Sequence, residues 1–276
     1  MNNFVALVTI CSGMAALAAL EAAIPLRARG PWNRTHLGPN LTLVGITFAT
    51  NALMNIPLVM ALSWAQSIGF GLLPALALPP LWSGALAVAG LDLAWYATHV
   101  SMHKVAWLWR LHRVHHCDPV VDVTTAIRQH PGESVVRYVY LAAFGLALGA
   151  APGAFAVYRI GSALQGLFEH ANVRLPLWLD RAISWSFASP NLHKVHHSRH
   201  AHYTNTNYGN IFSIFDRLFR TFTPARRGLG IDYGLDGFDD PKLQTAVGLL
   251  ALPFRGVEAS SADPRFIATV PAAPRA

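Results

Sequence analysis

Residues 81–116 read LWSGALAVAGLDLAWYATHVSMHKVAWLWRLHRVHH, so an apolar run leads directly into a segment rich in histidine. The run from Leu81 to Thr98 approaches the length of roughly 20 residues that crosses a bilayer core. If the helix continues beyond this run, His99 and His103 lie four positions apart and share one face. The sequence therefore predicts a membrane helix that presents imidazole groups at its end.

The composition of the whole chain is that of a membrane protein. Its 276 residues are 53% hydrophobic and only 13% charged, whereas soluble domains average about 25% charged residues. This much apolar surface also argues against a disordered chain, and two cysteines cannot form a disulfide framework. The net charge of +7 fits a face that meets anionic lipid. Because the arginines are dispersed, no nucleic-acid partner is predicted.

Three further apolar segments extend the membrane prediction. The stretch from Phe4 to about Pro25 has no basic region before it, which favours a retained helix over a signal peptide. A second span is predicted from Leu41 to about Ala65. Residues 135–168 are apolar but are broken by Gly149, Pro152 and Gly153, which is typical of a helical hairpin that returns to the same side. The bilayer would thus contain about four helices.

The distribution of basic residues predicts the orientation of these helices. Nearly all Arg and Lys residues lie in the Arg27–Arg34 loop, in the segment 99–137 and after His170. The positive-inside rule places these segments on the cytoplasmic side and leaves the N-terminus outside. We therefore expect an integral membrane protein of a bacterial inner membrane or an ER-type membrane, with both histidine-rich segments facing the cytoplasm.

The predicted fold is all-α, an integral membrane bundle of about four helices with a cytoplasmic, histidine-rich helical cap that holds a di-metal site. Residues 1–84 would form N-terminal transmembrane helices. Residues 85–223, including the hairpin, would form the catalytic domain. Residues 224–276 would form a C-terminal extension that ends in a disordered tail from Arg255 onward.

Histidine is the residue type that points to chemistry. Twelve of the thirteen histidines fall between His99 and His202, and two HxxHH motifs begin at His112 and His193. On a helix the positions i, i+3 and i+4 project to one side, so we expect each motif to direct three imidazoles at one point. Eight histidines are then clustered: His99, His103, His112, His115, His116, His193, His196 and His197. This number suggests more than one metal ion.

The number of ligands bears on the identity of the metal. Zinc sites usually close at four ligands, with three from the protein in catalytic sites. Imidazole also suits iron and copper, and iron with an open position can activate dioxygen. A non-haem di-iron centre therefore fits eight imidazoles better than a zinc centre does. A membrane zinc-dependent hydrolase or metal-binding protein remains the alternative.

Several spaced motifs resemble the fatty acid hydroxylase/sterol desaturase superfamily of membrane di-iron oxygenases over residues 85–223. The matching pieces are Asp92-xxx-Tyr96-xx-His99-xxx-His103, Trp107-Leu108-Trp109-Arg110-x-His112-xx-His115-His116, Arg128-x-His130-Pro131, Glu169-His170-Ala171-Asn172, His193-xx-His196-His197, Asn207-Tyr208-Gly209 and Asp216-Arg217-Leu218-Phe219. Val100 and Arg220 depart from residues common in the family, at positions that are not metal ligands. The resemblance implies two iron ions, dioxygen as co-substrate, and hydroxylation or desaturation of a lipid C–H bond.

Four further residues are candidates for the site. His170 closes an apolar run and is expected to be a ninth ligand, with a buried structural histidine as the alternative. His130 is expected to be a ligand or a supporting residue, unless it lies on the surface. Asp92 precedes His99 by seven residues and so shares its helix face, where a carboxylate could accept the N–H of a metal-bound imidazole. Glu169 admits the same role. Asp92, Glu169 and His130 are therefore the candidate catalytic residues.

Two other features complete the prediction. Asp118 and Asp122 could orient the HxxHH motif that ends at His116, or cap a helix. Residues 211–222, IFSIFDRLFRTF, are expected to form an amphipathic helix. The expected partners are a membrane lipid as substrate and an external electron-transfer protein or reductase, since no flavin, haem or iron–sulfur motif is visible. Which lipid is oxidised stays open at this point.

Overall fold

A computed structural model describes residues 3–28, 32–225 and 230–255, and these residues contain helices but no β-strand. The helices are α1 (Asn3–Ala23), α2 (Trp32–Ser67), α3 (Leu72–Leu76), α4 (Pro80–Lys104), α5 (Ala106–His116), α6 (Pro131–Leu148), α7 (Pro152–His170), α8 (Leu177–Ser184), α9 (Pro190–His196), α10 (Ala201–Thr204), α11 (Ile214–Leu218) and α12 (Ala246–Ala251), with 3-10 turns at Thr125–Ile127 and Leu252–Phe254. The all-α class is thus confirmed. The predicted tail beyond Arg255 lies outside the described residues.

Two stretches of the described chain are long and apolar enough to cross a bilayer, Phe4–Ala23 and His36–Leu76. They coincide with the first two predicted spans. Large apolar side chains such as Phe4, Met60 and Trp64 stand exposed on these helices, and exposed apolar surface of this extent favours a membrane environment. The two stretches do not include α4, α6 or α7. The bundle of four membrane helices and its orientation therefore stay predictions.

Helix α2 begins earlier than the predicted span, at Trp32 rather than Leu41. The reason lies in the contacts of two polar residues that precede Leu41. His36 and Asn40 are fully buried, and both contact the carboxylate of Asp118, with Asn40 Nδ2 3.1 Å from Asp118 Oδ2. Because these side chains have polar partners in the fold, the helix can extend towards the histidine-rich part of the chain.

The segment of the predicted hairpin forms two helices, α6 and α7, that are joined by a short turn. Its turn lies at Gly149, which adopts a left-handed conformation with φ of 67°. A side chain at this position would collide with the backbone oxygen of Phe70. Glycine therefore meets two requirements here, a positive φ and close approach of another segment. Pro152 then begins α7, where its missing N–H costs no helical hydrogen bond.

An apolar core sets the ends of α4 and α7 beside each other. Leu91 of α4, Leu141 of α6 and Tyr158 of α7 are fully buried in one apolar cluster, which also includes Leu62 of α2. Burial of each such side chain contributes about 1.5–3 kcal/mol. Since α4 ends just after His103 and α7 ends at His170, this packing brings histidines from distant parts of the sequence together.

The predicted amphipathic helix over residues 211–222 is wrong in extent, because the structure has a helix only at Ile214–Leu218. The backbone N–H groups before it are used elsewhere. Those of Ile211 and Phe212 donate to the Asp92 carboxylate, and Arg220 adopts a φ of 62° after the helix ends. Contacts from other parts of the fold thus replace the helical hydrogen bonds that the local pattern predicts.

Candidate metal centre

Nine buried histidines lie in two groups, and in each group the candidate ligand atoms are all within 4.8 Å of one another. The five-histidine group consists of His99, His103, His112, His116 and His196. The four-histidine group consists of His115, His170, His193 and His197. These are the nine histidines that the sequence analysis selects. The structure brings all of them together, although they are spread over 99 positions of the chain, from 99 to 197.

Each HxxHH motif is divided between the two groups, so the expectation that one motif directs three imidazoles at one point is wrong. On α5 the first and last histidines join the five-histidine group and the middle one joins the four-histidine group. At α9 the assignment is reversed, with His193 and His197 in the four-histidine group and His196 in the five-histidine group. Adjacent residues are about 100° apart around a helix, so neighbouring histidines face different sides.

The distances between ring nitrogens fit shared cations. His170 Nε2 lies 3.1 Å from His115 Nε2, 3.0 Å from His193 Nε2 and 3.1 Å from His197 Nε2. One imidazole nitrogen has either one proton or one lone pair, so it cannot make three hydrogen bonds. Two nitrogens that each lie about 2.1 Å from one metal ion, at a right angle, would be about 3.0 Å apart. The four-histidine group therefore fits a metal ion.

The five-histidine group shows the same crowding. His112 Nε2 lies 3.1 Å from His99 Nε2 and 3.2 Å from His116 Nε2. Both ring nitrogens of His103 and Nε2 of His196 are buried without a hydrogen-bond partner among the described residues. A buried polar atom without a partner is costly. A metal ion bound by these lone pairs would remove that cost.

Two backbone carbonyls orient rings of the five-histidine group. His99 Nδ1 lies 2.8 Å from the Tyr208 oxygen, and His196 Nδ1 lies 2.8 Å from the Thr206 oxygen. A carbonyl only accepts, so Nδ1 carries the proton in both rings and Nε2 keeps its lone pair. Such outer contacts fix the orientation of metal-binding imidazoles. The segment 205–212 thus positions ligands on two different helices.

Glu133 orients a third ring and is a residue that the sequence analysis missed. Its Oε2 accepts a hydrogen bond from His112 Nδ1 at 3.1 Å, while its Oε1 accepts from Arg137 at 2.6 Å. Both charged residues are buried. A signal was present in the sequence, because Glu133 and Arg137 form an ionisable i,i+4 pair at the start of an apolar hairpin. Charged residues in such places commonly have a function.

The contacts of Asp92 differ from the predicted ones, because its carboxylate does not contact an imidazole. It accepts hydrogen bonds from the backbone N–H groups of Ile211 and Phe212, at 3.2 and 2.9 Å. Asp216, which sequence reasoning did not select, accepts from the N–H groups of Tyr208 and Gly209 at 2.7 and 2.8 Å. Burial raises the pKa of Asp216 to about 6. The two carboxylates hold the segment that supplies carbonyls to the histidines.

Glu169 lies beside the four-histidine group, and His130 does not. Glu169 Oε1 is 3.8 Å from both His170 Nδ1 and His193 Nε2, which is beyond hydrogen-bonding distance. His130 is the N-cap of α6, where its Nδ1 accepts from the Gly132 N–H at 3.0 Å. It belongs to neither histidine group. The structure thus brings one of these two candidates to the site.

Asp118 and Asp122 do not orient the HxxHH motif of α5. Asp118 Oδ1 and Asp122 Oδ2 lie 3.4 and 3.2 Å from the two ring nitrogens of His36. His36, which the sequence pattern separates from the clusters, is therefore part of a buried polar contact outside them. This contact joins the start of α2 to the segment after α5.

Burial keeps four of the candidate ligands neutral. It lowers the pKa values of His115, His116 and His197 well below the ordinary histidine range. The pKa of His196 falls to about 3, again chiefly because of burial. Neutral imidazole is the form that binds metal. The environment therefore maintains the required protonation state at physiological pH.

A cavity that is partly open to its surroundings adjoins both groups. Rings of His99 and His112 from one group and of His115, His170 and His193 from the other contribute to its wall. Apolar side chains line it as well, among them Phe48, Trp95 and Met102. A lining of apolar side chains with a few polar groups is typical of ligand sites.

Comparisons with known proteins agree with this geometry. An alkylglycerol monooxygenase of Danio rerio is 31% identical over 52% of this chain, and the human alkylglycerol monooxygenase is 26% identical over 59%. The chain spans about a third of the length of these relatives, 31% and 36% respectively. The ornithine lipid hydroxylase OlsE of Rhizobium tropici is 28% identical over 83% of this chain and 70% of its own length. No solved structure matches the chain.

A model of a known protein family also matches the chain. The model of the family described as fatty acid hydroxylase matches residues 84–221, which is half of the chain. All nine histidines of the two groups, Glu133 and the segment that carries Tyr208 fall within these residues. The chain therefore belongs to the fatty acid hydroxylase family.

Proposed function

We propose that this protein is a membrane-bound oxygenase that hydroxylates or desaturates a C–H bond of a lipid, using dioxygen and electrons from an external donor. The observation that carries the proposal is the position of two buried histidine groups at the wall of one cavity with apolar lining. Family membership agrees with it. The names of the relatives, alkylglycerol monooxygenase and ornithine lipid hydroxylase, favour hydroxylation over desaturation.

Two iron ions are the proposed metals, one in each histidine group. When bound, such ions activate dioxygen for attack on an unactivated carbon. Nine imidazoles exceed what closed zinc sites use, and in the part of the chain that the structure describes no carboxylate belongs to either group. A membrane zinc-dependent hydrolase or metal-binding protein is the alternative that metal analysis would reveal.

The residues of this chain would hold, orient and enclose the reacting groups. Glu133 and the Tyr208 carbonyl accept the Nδ1 protons of His112 and His99, so both Nε2 lone pairs remain available for metal. Burial excludes water from the histidines. The apolar lining would position the lipid carbon beside the metals, and such positioning accounts for much of catalysis in general.

The membrane supplies the substrate in this proposal. Residues 1–84 would anchor the protein, residues 85–223 would catalyse the reaction, and residues 224–276 would form a C-terminal extension. The lipid would enter the cavity from the bilayer, while the histidine groups face the cytoplasm. An electron-transfer protein or reductase would dock on that same face, because the chain carries no recognisable redox motif besides the histidines.

Lipid profiling tests the proposal directly. Lipids of cells that express the wild-type chain are compared with those of cells that express His196→Ala, with His200→Ala as the matched control. His196 belongs to the five-histidine group, whereas His200 is exposed and lies outside both groups. We expect an oxidised lipid that needs dioxygen and appears with wild type and His200→Ala only. Identical lipids from wild type and His196→Ala cells would contradict the proposal, as would stoichiometric zinc in protein made with ample iron.

A further inference from the structure

The cavity beside the histidine groups has a basic end formed by two arginines. Arg137 of α6 and Arg159 of α7 both contribute to its wall. The two carboxylates in the same wall lie closer to the histidines. Glu133 accepts from His112, and Glu169 lies 3.8 Å from His193. Charge is therefore arranged unevenly along the cavity.

The residues that α7 contributes to the wall show in which direction the cavity extends. Five of its residues in the cavity wall lie at i, i+3, i+4, i+7 and i+11, namely Arg159, Ser162, Ala163, Gly166 and His170. Residues with this spacing form one stripe along a helix. At 1.5 Å of rise per residue, the Cα atoms of Arg159 and His170 are about 16 Å apart along the axis. The cavity thus extends from the four-histidine group to Arg159.

The two arginines differ in how their charges are compensated. Arg137 donates to Glu133 at 2.6 Å and to Gln129 at 2.9 Å, and its guanidinium lies 4.0 Å from the Trp95 ring centre. Arg159 has a ring contact with Tyr138 at 5.2 Å. No hydrogen bond or ion pair joins it to another residue in the described parts of the chain. Its five N–H donors are consequently available to a ligand.

A neighbouring amide adds a second polar group without a partner. The Tyr138 hydroxyl, on the ring beneath Arg159, donates to the backbone oxygen of Asn51 at 3.1 Å. Asn51 also contributes to the cavity wall, and its Oδ1 is buried with no hydrogen-bond partner among the described residues. Buried polar groups usually have a partner. This oxygen only accepts hydrogen bonds, so its partner would be a hydroxyl or amide N–H of the ligand and not an anionic oxygen.

We propose that Arg159 binds an anionic group, a carboxylate or a phosphate, of the lipid that enters this cavity, and so selects acidic lipids as substrates. The inference rests on the proposed function for its assumption that the cavity holds a lipid. Guanidinium pairs well with both carboxylate and phosphate. A cationic group would be repelled by the two arginines, and a neutral group would leave the Arg159 charge uncompensated. The apolar part of the lipid would then point towards the histidines.

Binding of matched amphiphiles tests this inference. The metal-loaded protein in neutral detergent is dialysed to equilibrium against hexadecanoate, hexadecyl phosphate, hexadecanol and hexadecyltrimethylammonium, which share one chain length and differ in head group. We expect wild type to bind one or both anions about tenfold more tightly than the alcohol, and the ammonium most weakly. The two anions compared with each other show whether a carboxylate or a phosphate is the preferred group.

Substitutions test whether Arg159 is responsible for the preference for anions over the alcohol. Arg159→Gln should reduce the ratio of anion to alcohol affinity to about one, and Arg159→Lys should restore part of it because the charge returns. Arg181→Gln, at an exposed arginine of α8 outside the cavity, should retain the full ratio. Equal affinity of wild type for anions and alcohol would overturn the inference, and so would an unchanged preference in Arg159→Gln.

Failure of this inference can be distinguished from failure of the proposed function. If the inference fails while cells still make the oxidised lipid, the oxygenase proposal stands and the substrate is not acidic. If the oxidised lipid is absent but the preference for anions depends on Arg159, the cavity binds acidic lipid without the proposed chemistry. Metal content measured on every variant shows whether a loss of binding reflects a damaged fold.

Discussion

The two histidine groups differ in how their rings are held from outside. In the five-histidine group three rings have an acceptor on Nδ1, and these acceptors are Tyr208 O, Glu133 and Thr206 O. In the four-histidine group, within the described parts of the chain, only His170 has such an acceptor, which is the Gly166 oxygen one turn earlier in its own helix. The Nδ1 atoms of the other three rings are buried without a partner among the described residues. Outer contacts of this kind support metal affinity, so we infer that the five-histidine group is the more preorganised site.

The largest effect is expected when one candidate ligand is removed from each group. His112→Ala and His193→Ala should each abolish lipid oxidation, since both metals are required in the proposal, and each should leave about one metal ion per chain. Metal analysis and lipid profiling measure the two effects. His200→Ala is the control, because this exposed histidine is in neither group. Full activity in either ligand variant would show that its group is not part of the site.

A smaller effect is expected when an outer contact is changed and the ligands are left intact. Glu133→Gln removes the charge that His112 and Arg137 both contact. Affinity for the metal of the five-histidine group should fall by about 10–100-fold, as is usual for changed outer contacts. Titration of metal into the protein, followed for each group, measures this.

Glu169→Gln is the companion variant, because Glu169 lies 3.8 Å from its nearest histidine nitrogens and makes no hydrogen bond to them. Its effect on metal affinity should be smaller than that of Glu133→Gln. If the two variants had equal effects, hydrogen bonding to Nδ1 would not be what distinguishes the two groups.

Staged removal of metal tests the difference without any substitution. During dialysis against a chelator, the four-histidine group should lose its metal first, with a rate about tenfold higher than that of the five-histidine group. Metal content followed over time should show two phases. The slow phase should become faster in Glu133→Gln, and the fast phase should not change. A single phase for both metals would remove the basis for calling one group more preorganised.

The smallest effect is expected at Asp92, which acts on the site through the segment 208–212. Asp92→Asn removes one of the two acceptors for the N–H groups of Ile211 and Phe212. An unsatisfied buried donor costs about 1 kcal/mol or more, so affinity in the five-histidine group should weaken by about fivefold. His130→Ala, at a helix cap outside both groups, should leave metal affinity unchanged. A larger effect at His130 than at Asp92 would contradict this assignment.

The sequence was sufficient to predict which histidines cluster but not how they divide into two groups. The spacing of His99, His103 and the two HxxHH motifs identifies ring nitrogens on helix faces, and the apolar hairpin ending at His170 follows from local composition. Which ring joins which group depends on how α4, α5, α7 and α9 pack, and that is a tertiary property. The angle of about 100° between adjacent helical residues would have argued against three rings meeting at one point.

The outer contacts were harder to predict for the same reason. The carbonyl of Tyr208 is 109 positions from the His99 ring that it orients, and a carbonyl is present in every residue, so no residue type marks it. Asp92 shares a helix face with His99 as predicted, yet its carboxylate contacts the backbone of residues 211 and 212. Glu133 left a trace in the sequence as an ionisable pair with Arg137 at the start of an apolar helix, whereas Tyr208 and Asp216 stand in family-like motifs that do not reveal their contacts.

We propose that this protein holds two iron ions in two histidine groups, and counting metals tests this proposal most directly. Protein purified from cells supplied with iron and zinc is analysed for both elements, together with His112→Ala and His193→Ala. We predict about two iron ions per chain in the wild type, about one iron ion per chain in each variant, and little zinc. One metal or fewer in the wild type, or zinc in place of iron, would contradict it.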